Sequence, residues 1–576
     1  AELIPKSNPF LRKLFQYIAG YDLDDRIKWI VDDLADIFRA TNVADLLKDF
    51  GKSTQQNDPL VHFYETFLSE YDPKLRKSRG VWYTPEPVVN FIVRSVNDIL
   101  AAEFGLSMGL ADTSKTTVTV NVQGQKVRKE VHKVQILDPA TGTGTFLAEV
   151  VKQVYRQFEG QQGLWNNYVE EHLIPRLNGF EILMASYTIA HLKLDMLLRE
   201  TGYQPTKDQR FKIYLTNSLE EFHPDTGTLF ANWLSAEANE ANQIKRDTPV
   251  MIVIGNPPYS VSSTNKGEWI QNLIVDYKKD LNERKINLDD DYIKFIRYGQ
   301  HIIDKNGSGI LAFISNNSFI DGITHRQMRK HLLESFNKIF ILDLHGNSKK
   351  LEVSPDGSPD QNVFDIMQGV SINLFIKTEK KKKNELSRIF HSELFGRREI
   401  KYDTLTEKTW NNTEWRILDV DPPNYFYTPK NFDNAAIYDA GFKFDLLFSN
   451  NNAGIQTKRD DFVYQYTSEE IKNLIYDIYN LNEDEIRQKY KVGIDGSAWK
   501  LKWVKEDILK HEGRYTSVDY RPFDVRFTYY TGFSSGFMAR PRSPLMCNML
   551  ETNLAILAIR NSRRDNVFGF FISNKI

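Results

Sequence analysis

The pattern of apolar and polar positions divides the chain into three stretches. In residues 8–78, apolar residues recur at intervals of three and four, with charges between them, in LRKLFQYIAG, DRIKWIVDDLADIFRA and DPLVHFYETFLSEY. That spacing places the apolar side chains on one face of a helix. Residues 1–78 are therefore predicted to form a helical N-terminal segment.

Short β-rich runs alternate with helical segments in the second stretch, residues 79–388. The runs are KVQIL, FKIYL, MIVIG, GILAFI, KIFILDL and VSINLFI. Strands that alternate with helices are typical of a parallel, doubly wound α/β sheet. The lysine-rich segment 377–385 (KTEKKKKNE) follows the last run and is interpreted as a solvated loop or a domain boundary.

The third stretch, residues 389–576, lacks this alternation. Aromatic-rich segments such as PPNYFYTP and VRFTYYTGF surround a helix pair, TSEEIKNLIYDIYNLNEDEIRQKY. We predict a separate mixed α+β domain. The chain begins with Ala1 and ends in the apolar run VFGFFISNKI, so we expect it to be part of a longer polypeptide, with this last domain incomplete.

Composition narrows the class of protein. A chain of 576 residues with 41% hydrophobic and 26% charged residues can form several globular domains. It contains neither an apolar run of membrane-spanning length nor an N-terminal signal peptide, so we expect a cytoplasmic protein without membrane contact. The single cysteine, Cys547, excludes a disulfide scaffold and a cysteine-based zinc site.

The net charge hides an asymmetry. Lys and Arg number 74 against 76 Asp and Glu, a net charge of −2, yet residues 501–576 hold twelve Lys and Arg against seven Asp and Glu, a net +5. Such a region could meet a polyanion. A window of this length reaches +5 by chance just as readily, so charge alone decides nothing.

The most informative segment is a strand that runs into a Gly-rich turn. Asp138 ends the strand, DPATGTGT forms the turn, and FLAEVVKQVYRQ continues as a helix. Ligands of open α/β sheets bind at the carboxyl ends of strands, where glycines let backbone N–H groups approach. The third glycine of a dinucleotide fingerprint is replaced by Leu147, and Asp138 would repel a pyrophosphate but hold a cationic amino acid group. The turn predicts a cofactor of that kind; an ordinary βα turn is the alternative.

A second segment, Asn256-Pro257-Pro258-Tyr259, follows the buried run MIVIG. Two consecutive prolines remove two backbone donors and fix the turn. The Asn256 amide, the Pro257 carbonyl and the Tyr259 ring then converge on one point. Two acceptors and an aromatic face suit a planar amino group.

These motifs resemble those of the S-adenosylmethionine-dependent amino methyltransferases of DNA. DPATGTGTF is similar to their cofactor motif I, NPPY to catalytic motif IV of adenine-N6 enzymes, and GVWYTP (residues 80–85) to motif X. The order X, I, IV, recognition region is that of the γ class. NVFDIMQGVSINLFIK and SVDYRPFDVRFTYYTG extend the resemblance, over about residues 55–560, to type ISP and type IIG restriction-modification enzymes.

The resemblance implies a Rossmann-like methyltransferase domain at 79–388, a target-recognition domain at 389–576, and a role for each matching residue. The residues implied to hold S-adenosylmethionine are Tyr83, Thr84, Pro85, Asp138, Pro139, Ala140, Thr141, Gly142, Gly144, Thr145, Glu181, Asn217 and Ser218. Glu181 would accept the ribose hydroxyls. Asn217 and Ser218 stand where the family usually has an acidic residue for the cofactor's adenine.

The implied reaction is site-specific methylation of adenine N6 in double-stranded DNA, as the modification part of a restriction-modification system. The enzyme would flip the base out and stack it between Tyr259 and Phe364. Asn256 and the Pro257 carbonyl would then draw the amino hydrogens, with no metal required. Nuclease and helicase modules of the same polypeptide or of a partner subunit are further expected partners.

DNA recognition is expected to fall to polar and basic residues of the C-terminal region. The candidates are Lys458, Arg459, Arg521, Arg526, Arg540 and Arg542. Three alternatives remain: a DNA-binding specificity subunit without activity, a protein-glutamine or RNA methyltransferase, and a nuclease in which Pro355-Asp356 and Glu379-Lys380-Lys381 form a P-D…E-x-K pattern.

Overall fold

A computed structural model describes most of the chain. The described residues are 25–40, 84–122, 125–207, 209–221, 231–260, 263–283, 288–378, 381, 385–442, 444–448, 450–558 and 569–575. The chain separates into two compact units, one that ends at Lys430 and one that begins at Asn431.

Helices and strands are numbered separately in chain order. The α-helices are α1 Asp25–Ala40, α2 Glu86–Phe104, α3 Thr145–Tyr155, α4 Gln162–Tyr168, α5 Met184–Glu200, α6 Ala231–Asp247, α7 Glu268–Lys278, α8 Asp291–Asn306, α9 Ser318–Asp321, α10 Arg326–Ser335, α11 Arg398–Glu407, α12 Ala435–Asp439, α13 Phe444–Leu447, α14 Asp460–Val463, α15 Ser468–Asn480, α16 Glu483–Tyr490, α17 Leu501–Lys510 and α18 Ser543–Met546. The strands are β1 Lys115–Val122, β2 Gln125–His132, β3 Ile136–Asp138, β4 Leu177–Glu181, β5 Lys212–Leu215, β6 Ile252–Gly255, β7 Gly309–Asn316, β8 Lys338–Asp343, β9 Val370–Lys377, β10 Arg388–Glu393, β11 Arg416–Leu418, β12 Arg514–Arg521, β13 Asp524–Tyr530, β14 Ala555–Ala558 and β15 Phe570–Ser573.

The first unit is built on a sheet in the order β11-β10-β8-β9-β7-β6-β3-β4-β5. The predicted α/β sheet is confirmed, but the expectation that it is wholly parallel is wrong. β9 runs antiparallel between β7 and β8, and β11 runs antiparallel to β10. Almost every residue of β9 is buried, so its apolar run carries no sign of its direction.

Helices cover both faces of this sheet. Successive residues of each strand point to opposite faces, so Ile136 and Ile252 pack with α2, α3 and α5, whereas Leu137 and Val253 pack with α7, α8 and α10. Each face therefore has its own hydrophobic core. The strands are held between the two cores, and the parallel strands β3–β8 and β10 have their carboxyl ends at one edge.

The unit extends beyond the predicted boundary between residues 388 and 389. That boundary falls at the start of β10, which pairs with β8, and the following α11 packs on α2. Lys401 of α11 forms a buried ion pair with Asp360 at 2.8 Å. The lysine-rich run that suggested a boundary is tied to the unit as well, because the Lys381 ammonium donates to the carbonyl of Phe336 at 2.6 Å.

The N-terminal stretch is described only in part. The second of its three predicted helices is confirmed as α1, Asp25–Ala40. The first and third lie outside the described residues. Among the helices that the structure describes, none has the length and apolar character that a membrane span requires.

The second unit combines helices α12–α18 with the hairpins β12–β13 and β14–β15, which confirms the mixed α+β prediction. The predicted helix pair appears as α15 and α16. Thr467 and Asn482 begin these helices with capping boxes, in which side chain and backbone satisfy each other's hydrogen bonds. The core of the unit gathers around Trp499 and Phe537.

Candidate active site

Four neighbouring parallel strands, β5, β4, β3 and β6, end at the same edge of the sheet. Their carboxyl ends carry most of the cofactor and catalytic residues that the sequence predicts. In open α/β sheets this edge is where ligands bind. The loops that follow these four strands are therefore the place to look for a site.

The loop after β3 forms a tight cradle around two glycines. Gly142 and Gly144 both have positive φ, +54° and +81°, a conformation that favours glycine. The Thr141 hydroxyl donates to the carbonyl of Asp138 at 3.0 Å, and the Thr141 N–H donates to the carbonyl of Phe180 at 3.0 Å. The turn is thus fastened both to its own strand and to β4.

Asp138 is fully buried at the start of this turn. Its Oδ1 accepts a hydrogen bond from the Ala140 N–H at 3.0 Å, whereas Oδ2 has no partner among the described residues. Burial raises the pKa of Asp138 to about 8, the Ala140 hydrogen bond opposes this rise, and the charge of Glu181 adds to it. A buried, half-satisfied carboxyl group of this kind is suited to receive a cationic donor.

Glu181 ends β4 with its carboxylate folded back on the backbone. Oε2 accepts from the Gly142 N–H at 2.7 Å, and Oε1 accepts from the N–H groups of Ile182 at 2.9 Å and Leu183 at 2.7 Å. Burial raises the pKa of Glu181, while these three hydrogen bonds lower it. Each carboxylate oxygen can accept more than one hydrogen bond, so the group can still serve hydroxyl donors.

The loop after β5 closes the cradle from the other side. The Ser218 hydroxyl donates to the carbonyl of Pro139, which joins this loop to the Gly-rich turn. The Asn217 amide nitrogen donates to Glu220 and to the side chain of Asn265, both at 3.0 Å. Lys245, which the sequence did not single out, is buried and donates to the carbonyls of Asn217 at 2.7 Å and Glu220 at 2.6 Å.

Asn256 follows β6 and links two motifs that are far apart in sequence. Its amide nitrogen donates to the hydroxyl of Thr84 at 3.0 Å, across 172 positions of the chain. Its Oδ1 accepts from the Tyr259 hydroxyl at 2.9 Å. Thr84 is buried, and the neighbouring Pro85 begins α2 by accepting from the N–H groups of Val88 and Val89.

Gly255 brings the NPPY turn directly against Asp138. A Cβ atom at Gly255 would lie 2.8 Å from Oδ1 of Asp138, so this position has no room for a side chain. Gly255 was not among the predicted site residues, although a glycine that ends a buried strand is a signal of close backbone approach. This close approach brings the predicted cofactor turn and the predicted catalytic turn together in one site.

The beginning of α8 forms a polar platform under the NPPY loop. Asp290 accepts from the Ser260 N–H at 2.8 Å, and Asp291 accepts from the Ser263 hydroxyl at 2.6 Å. The fully buried ammonium of Lys294 donates to the Ser263 hydroxyl at 2.8 Å. The Tyr259 ring meets Tyr292 edge to face, with ring centroids 6.3 Å apart.

None of these α8 residues was predicted, although the acidic run DDDYIKF at the start of a helix is a visible signal. Burial raises the pKa of Asp290 to about 6, against the lowering by hydrogen bonds from backbone N–H groups. The platform fixes the segment that follows Asn256, so it positions the site without belonging to it.

The remaining predicted residues of the first unit are placed less directly. Pro257 is buried, Pro258 and Tyr259 are partly exposed, and the Thr145 hydroxyl accepts from Lys193 at 3.3 Å. The Phe364 side chain is only 4% exposed and belongs to the core beneath the sheet. Tyr83 lies outside the described residues, as does Glu379 of the nuclease alternative.

The six predicted DNA contacts all lie in the second unit. Arg526 is held by Asp524 through two 3.0 Å hydrogen bonds, and the Arg459 guanidinium lies 5.3 Å from the Trp499 ring centroid. Arg521 and Arg540 are exposed. Lys458 and Arg542 have positive φ angles of 65° and 59°.

A family model described as "N-6 DNA Methylase" matches residues 55–344, half of the chain. The chain belongs to this family. A second model, "Type ISP C-terminal specificity domain", matches residues 446–576. The resemblance drawn from the motifs is thereby confirmed, and the matched ranges cover the NPPY site and most of the second unit. None of the curated proteins matches the chain by sequence.

Three solved structures share the fold. The DrdV–DNA complex has 23% identity and a TM-score of 0.64 over 98% of this chain. The ATP-dependent type ISP restriction-modification enzyme LlaBIII bound to DNA has 21% identity and a TM-score of 0.60 over 92%. A nuclease-deletion mutant of the type ISP enzyme LlaGI with a DNA substrate mimic has 19% identity and a TM-score of 0.58 over 90%. This chain of the N-6 DNA methylase family spans 56%, 36% and 43% of their respective lengths.

Proposed function

We propose that the protein is a site-specific DNA adenine methyltransferase, which transfers a methyl group from S-adenosylmethionine to N6 of a flipped adenine. One observation carries the proposal. The Asn256 amide is held at the end of β6 by Thr84 and Tyr259, and the preceding Gly255 leaves no space between this turn and Asp138. The amino acceptor and the cofactor cradle thus form one site.

The cradle fits the proposed cofactor. S-adenosylmethionine supplies a methyl group on a positively charged sulfur, and its methionine part carries a cationic amino group. Asp138 has a buried oxygen without a partner among the described residues, which suits that amino group. Gly142 and Gly144 allow the tight turn that lets the cofactor approach the backbone closely. Glu181 presents a carboxylate for the ribose hydroxyls.

Asn256 and Pro257 are the acceptors for the adenine amino group. A carbonyl oxygen carries two lone pairs, so Asn256 Oδ1 can keep the Tyr259 hydroxyl and still accept an amino hydrogen. Two acceptors draw the nitrogen towards a pyramidal shape and free its lone pair. The N6 lone pair would form the bond to the methyl carbon, the electrons of the carbon–sulfur bond would pass to sulfur, and N6 would release one proton to water.

The base must leave the duplex to reach this point, at a cost of a few kcal/mol. Tyr259 offers a partly exposed ring beside Asn256, and stacking on it would offset part of that cost. Phe364 remains a proposed second stacking residue. Because its ring lies in the core, stacking would require the segment around it to move.

The second unit supports DNA as the substrate. Its match to a type ISP specificity domain favours DNA over the protein or RNA substrates of the methyltransferase alternative. The proposed contacts to phosphates and base edges are Lys458, Arg459, Arg521, Arg526, Arg540 and Arg542. We further propose that nuclease or helicase modules, in the same polypeptide or in a partner, act together with this chain. The proposed location is the cytoplasm.

The direct test is to map modified bases in DNA from methylation-deficient cells that express the protein. We expect N6-methyladenine at one recurring sequence and at no other. The purified protein should also transfer labelled methyl groups from S-adenosylmethionine to unmethylated plasmid DNA. Label that enters RNA or protein instead would favour the protein-glutamine or RNA methyltransferase, and DNA binding without any methylation would favour the specificity subunit without activity.

The α8 platform gives a positioning prediction. Asp290→Ala removes the acceptor of the Ser260 N–H, so the NPPY loop loses one anchor. We expect kcat to fall about ten- to a hundredfold, the cost of a misplacement on the order of 1 Å, with the KM for S-adenosylmethionine unchanged. Steady-state kinetics with plasmid DNA measure both quantities.

Asp290→Asn is the matched control, because its carbonyl oxygen can still accept from Ser260. It should retain most of the wild-type kcat. If Asp290→Asn and Asp290→Ala lost activity equally, the hydrogen bond to Ser260 would not be the reason for the loss.

A further inference from the structure

The hairpin β12–β13 carries an unusual residue at its tip. Arg521 pairs with Asp524, so the connecting loop consists of Pro522 and Phe523 alone. Phe523 has a φ of +65°, in the left-handed region. A proline followed by a residue with positive φ has the form of a type II turn, in which Gly or Asn normally takes the second central position.

Phenylalanine at this position brings the folded chain no evident benefit. A left-handed backbone is disfavoured for a residue with a Cβ atom, and most strongly for a bulky one. The Phe523 side chain is 102% exposed, so it does not offset that cost by burial within the second unit. Local rules broken without a compensating contact are expected at functional positions.

The base of the tip is braced by stacked side chains. The guanidinium groups of Arg521 and Arg526 lie 5.0 and 4.7 Å from the centroid of the Tyr520 ring. Arg526 also lies 4.0 Å from the centroid of the Tyr466 ring and forms two hydrogen bonds to Asp524. These contacts restrict the side chains of the hairpin directly beside the loop, so Phe523 projects from a well-packed base.

The surroundings of Phe523 indicate what it meets. Its chain neighbours Arg521 and Asp524 are charged, so the tip itself does not form a broad apolar patch of the kind that protein interfaces use. Residues 501–576 carry a net +5, and the exposed Arg521 stands next to the ring. A fully exposed ring beside an exposed arginine is suited to enter a stack of bases, where the faces of the ring are covered and the arginine lies close to a phosphate.

We infer that Phe523 inserts between bases of duplex DNA when the protein binds, with Arg521 on the adjacent phosphate. This inference rests on the proposed function, because it takes DNA as the substrate. It adds a contact that is apolar and directed into the base stack, whereas the residues proposed above are basic. It also gives a reason for a phenylalanine at a position whose left-handed backbone disfavours it.

The test compares Phe523→Gly and Phe523→Trp with the wild type. Glycine relieves the left-handed backbone, so the melting temperature should rise by about 2–4 °C, while the Kd for unmethylated plasmid DNA should rise about tenfold or more. Tryptophan should keep the wild-type Kd. Ile494→Ala is the control, because Ile494 is 92% exposed in the same unit and should leave the Kd unchanged.

The outcomes separate this inference from the proposed function. If the wild type neither binds nor methylates plasmid DNA, the proposed function fails and the inference fails with it. If the wild type does both and Phe523→Gly binds with the same Kd, the inference alone is overturned. A wild-type oligomer that dissociates in the Phe523→Gly variant without DNA would overturn it as well, because the ring would then belong to a protein interface.

Discussion

Replacement of Asn256 by alanine is expected to slow methyl transfer by about a hundred- to a thousandfold or more while S-adenosylmethionine still binds. The magnitude follows from the loss of one preorganised hydrogen-bonding group at the reacting atom. Cofactor binding should survive because Asp138, Glu181 and the Gly-rich turn remain in place. Single-turnover rates with plasmid DNA and calorimetric titration of S-adenosylmethionine measure the two effects separately.

Two substitutions serve as controls for Asn256→Ala. Tyr259→Phe removes the hydroxyl that donates to Asn256 Oδ1 but keeps the ring, so it should reduce the rate far less. Thr84→Val removes the acceptor of the Asn256 amide nitrogen and should have an intermediate effect. Methylation by Asn256→Ala near the wild-type rate would show that another group accepts the adenine amino hydrogens.

Replacement of Asp138 by asparagine should weaken S-adenosylmethionine binding by about thirtyfold or more, the cost of removing one partner of a buried charged pair. Burial raises the pKa of Asp138 to about 8, so in the ligand-free protein the carboxyl group holds its proton at pH 7. A bound cationic amino group stabilises the ionised form of the Asp138 carboxyl group, so binding requires the loss of this proton. Wild-type affinity should therefore increase by close to tenfold per pH unit between about pH 6 and 7, pass through a maximum near pH 8 and fall at higher pH, where the amino group loses its own proton.

Titration calorimetry in buffers of different ionisation enthalpy checks the Asp138 prediction, because binding at pH 7 should release a proton. Asp138→Asn should abolish both this release and the pH dependence. Asp356→Asn, in an exposed turn of the same unit, should change neither. A wild-type affinity that does not vary between pH 6 and 8 would show that Asp138 does not meet the cationic group.

The same substitution should have the opposite effect on stability. The folded-state pKa of Asp138, about 8, lies above its ordinary value of 3.8, so the folded protein binds this proton more tightly than the unfolded chain. The contribution of Asp138 to stability is therefore greatest at low pH and is lost as the pH rises towards 8. Asparagine has no proton to lose. Ligand-free Asp138→Asn should consequently melt at a higher temperature than the wild type at pH 8.

The sequence predicted the parts of the site that are local in the chain. A strand that ends in Asp138 and a Gly-rich turn, and a buried strand that ends in NPPY, each carry their own signal. Parallel strands then place their carboxyl ends at one edge, which brings Asp138 and Asn256 to the same region. The roles of these residues stay predictions, and so does every cofactor contact.

The contacts that assemble the site could not be predicted, because they join distant segments. The Thr84–Asn256 hydrogen bond spans 172 positions, and the Asp290 platform approaches the NPPY loop only after α8 has packed on the sheet. The antiparallel direction of β9 depends on the path of the loop before it. Phe364 was predicted to stack on the base, yet its burial depends on how α2 and α11 cover the sheet.

The place where the first unit ends has a practical consequence for engineering new specificities. Exchanging the recognition region between relatives is a natural way to obtain enzymes that read other sequences. A junction at residue 388 would separate β10 from the unit, leave β8 paired on one side only, with β9, and leave Asp360 without Lys401. The exposed backbone of β8 would invite edge-to-edge aggregation. Hybrid proteins should be joined at or after Lys430, where the compact unit is complete.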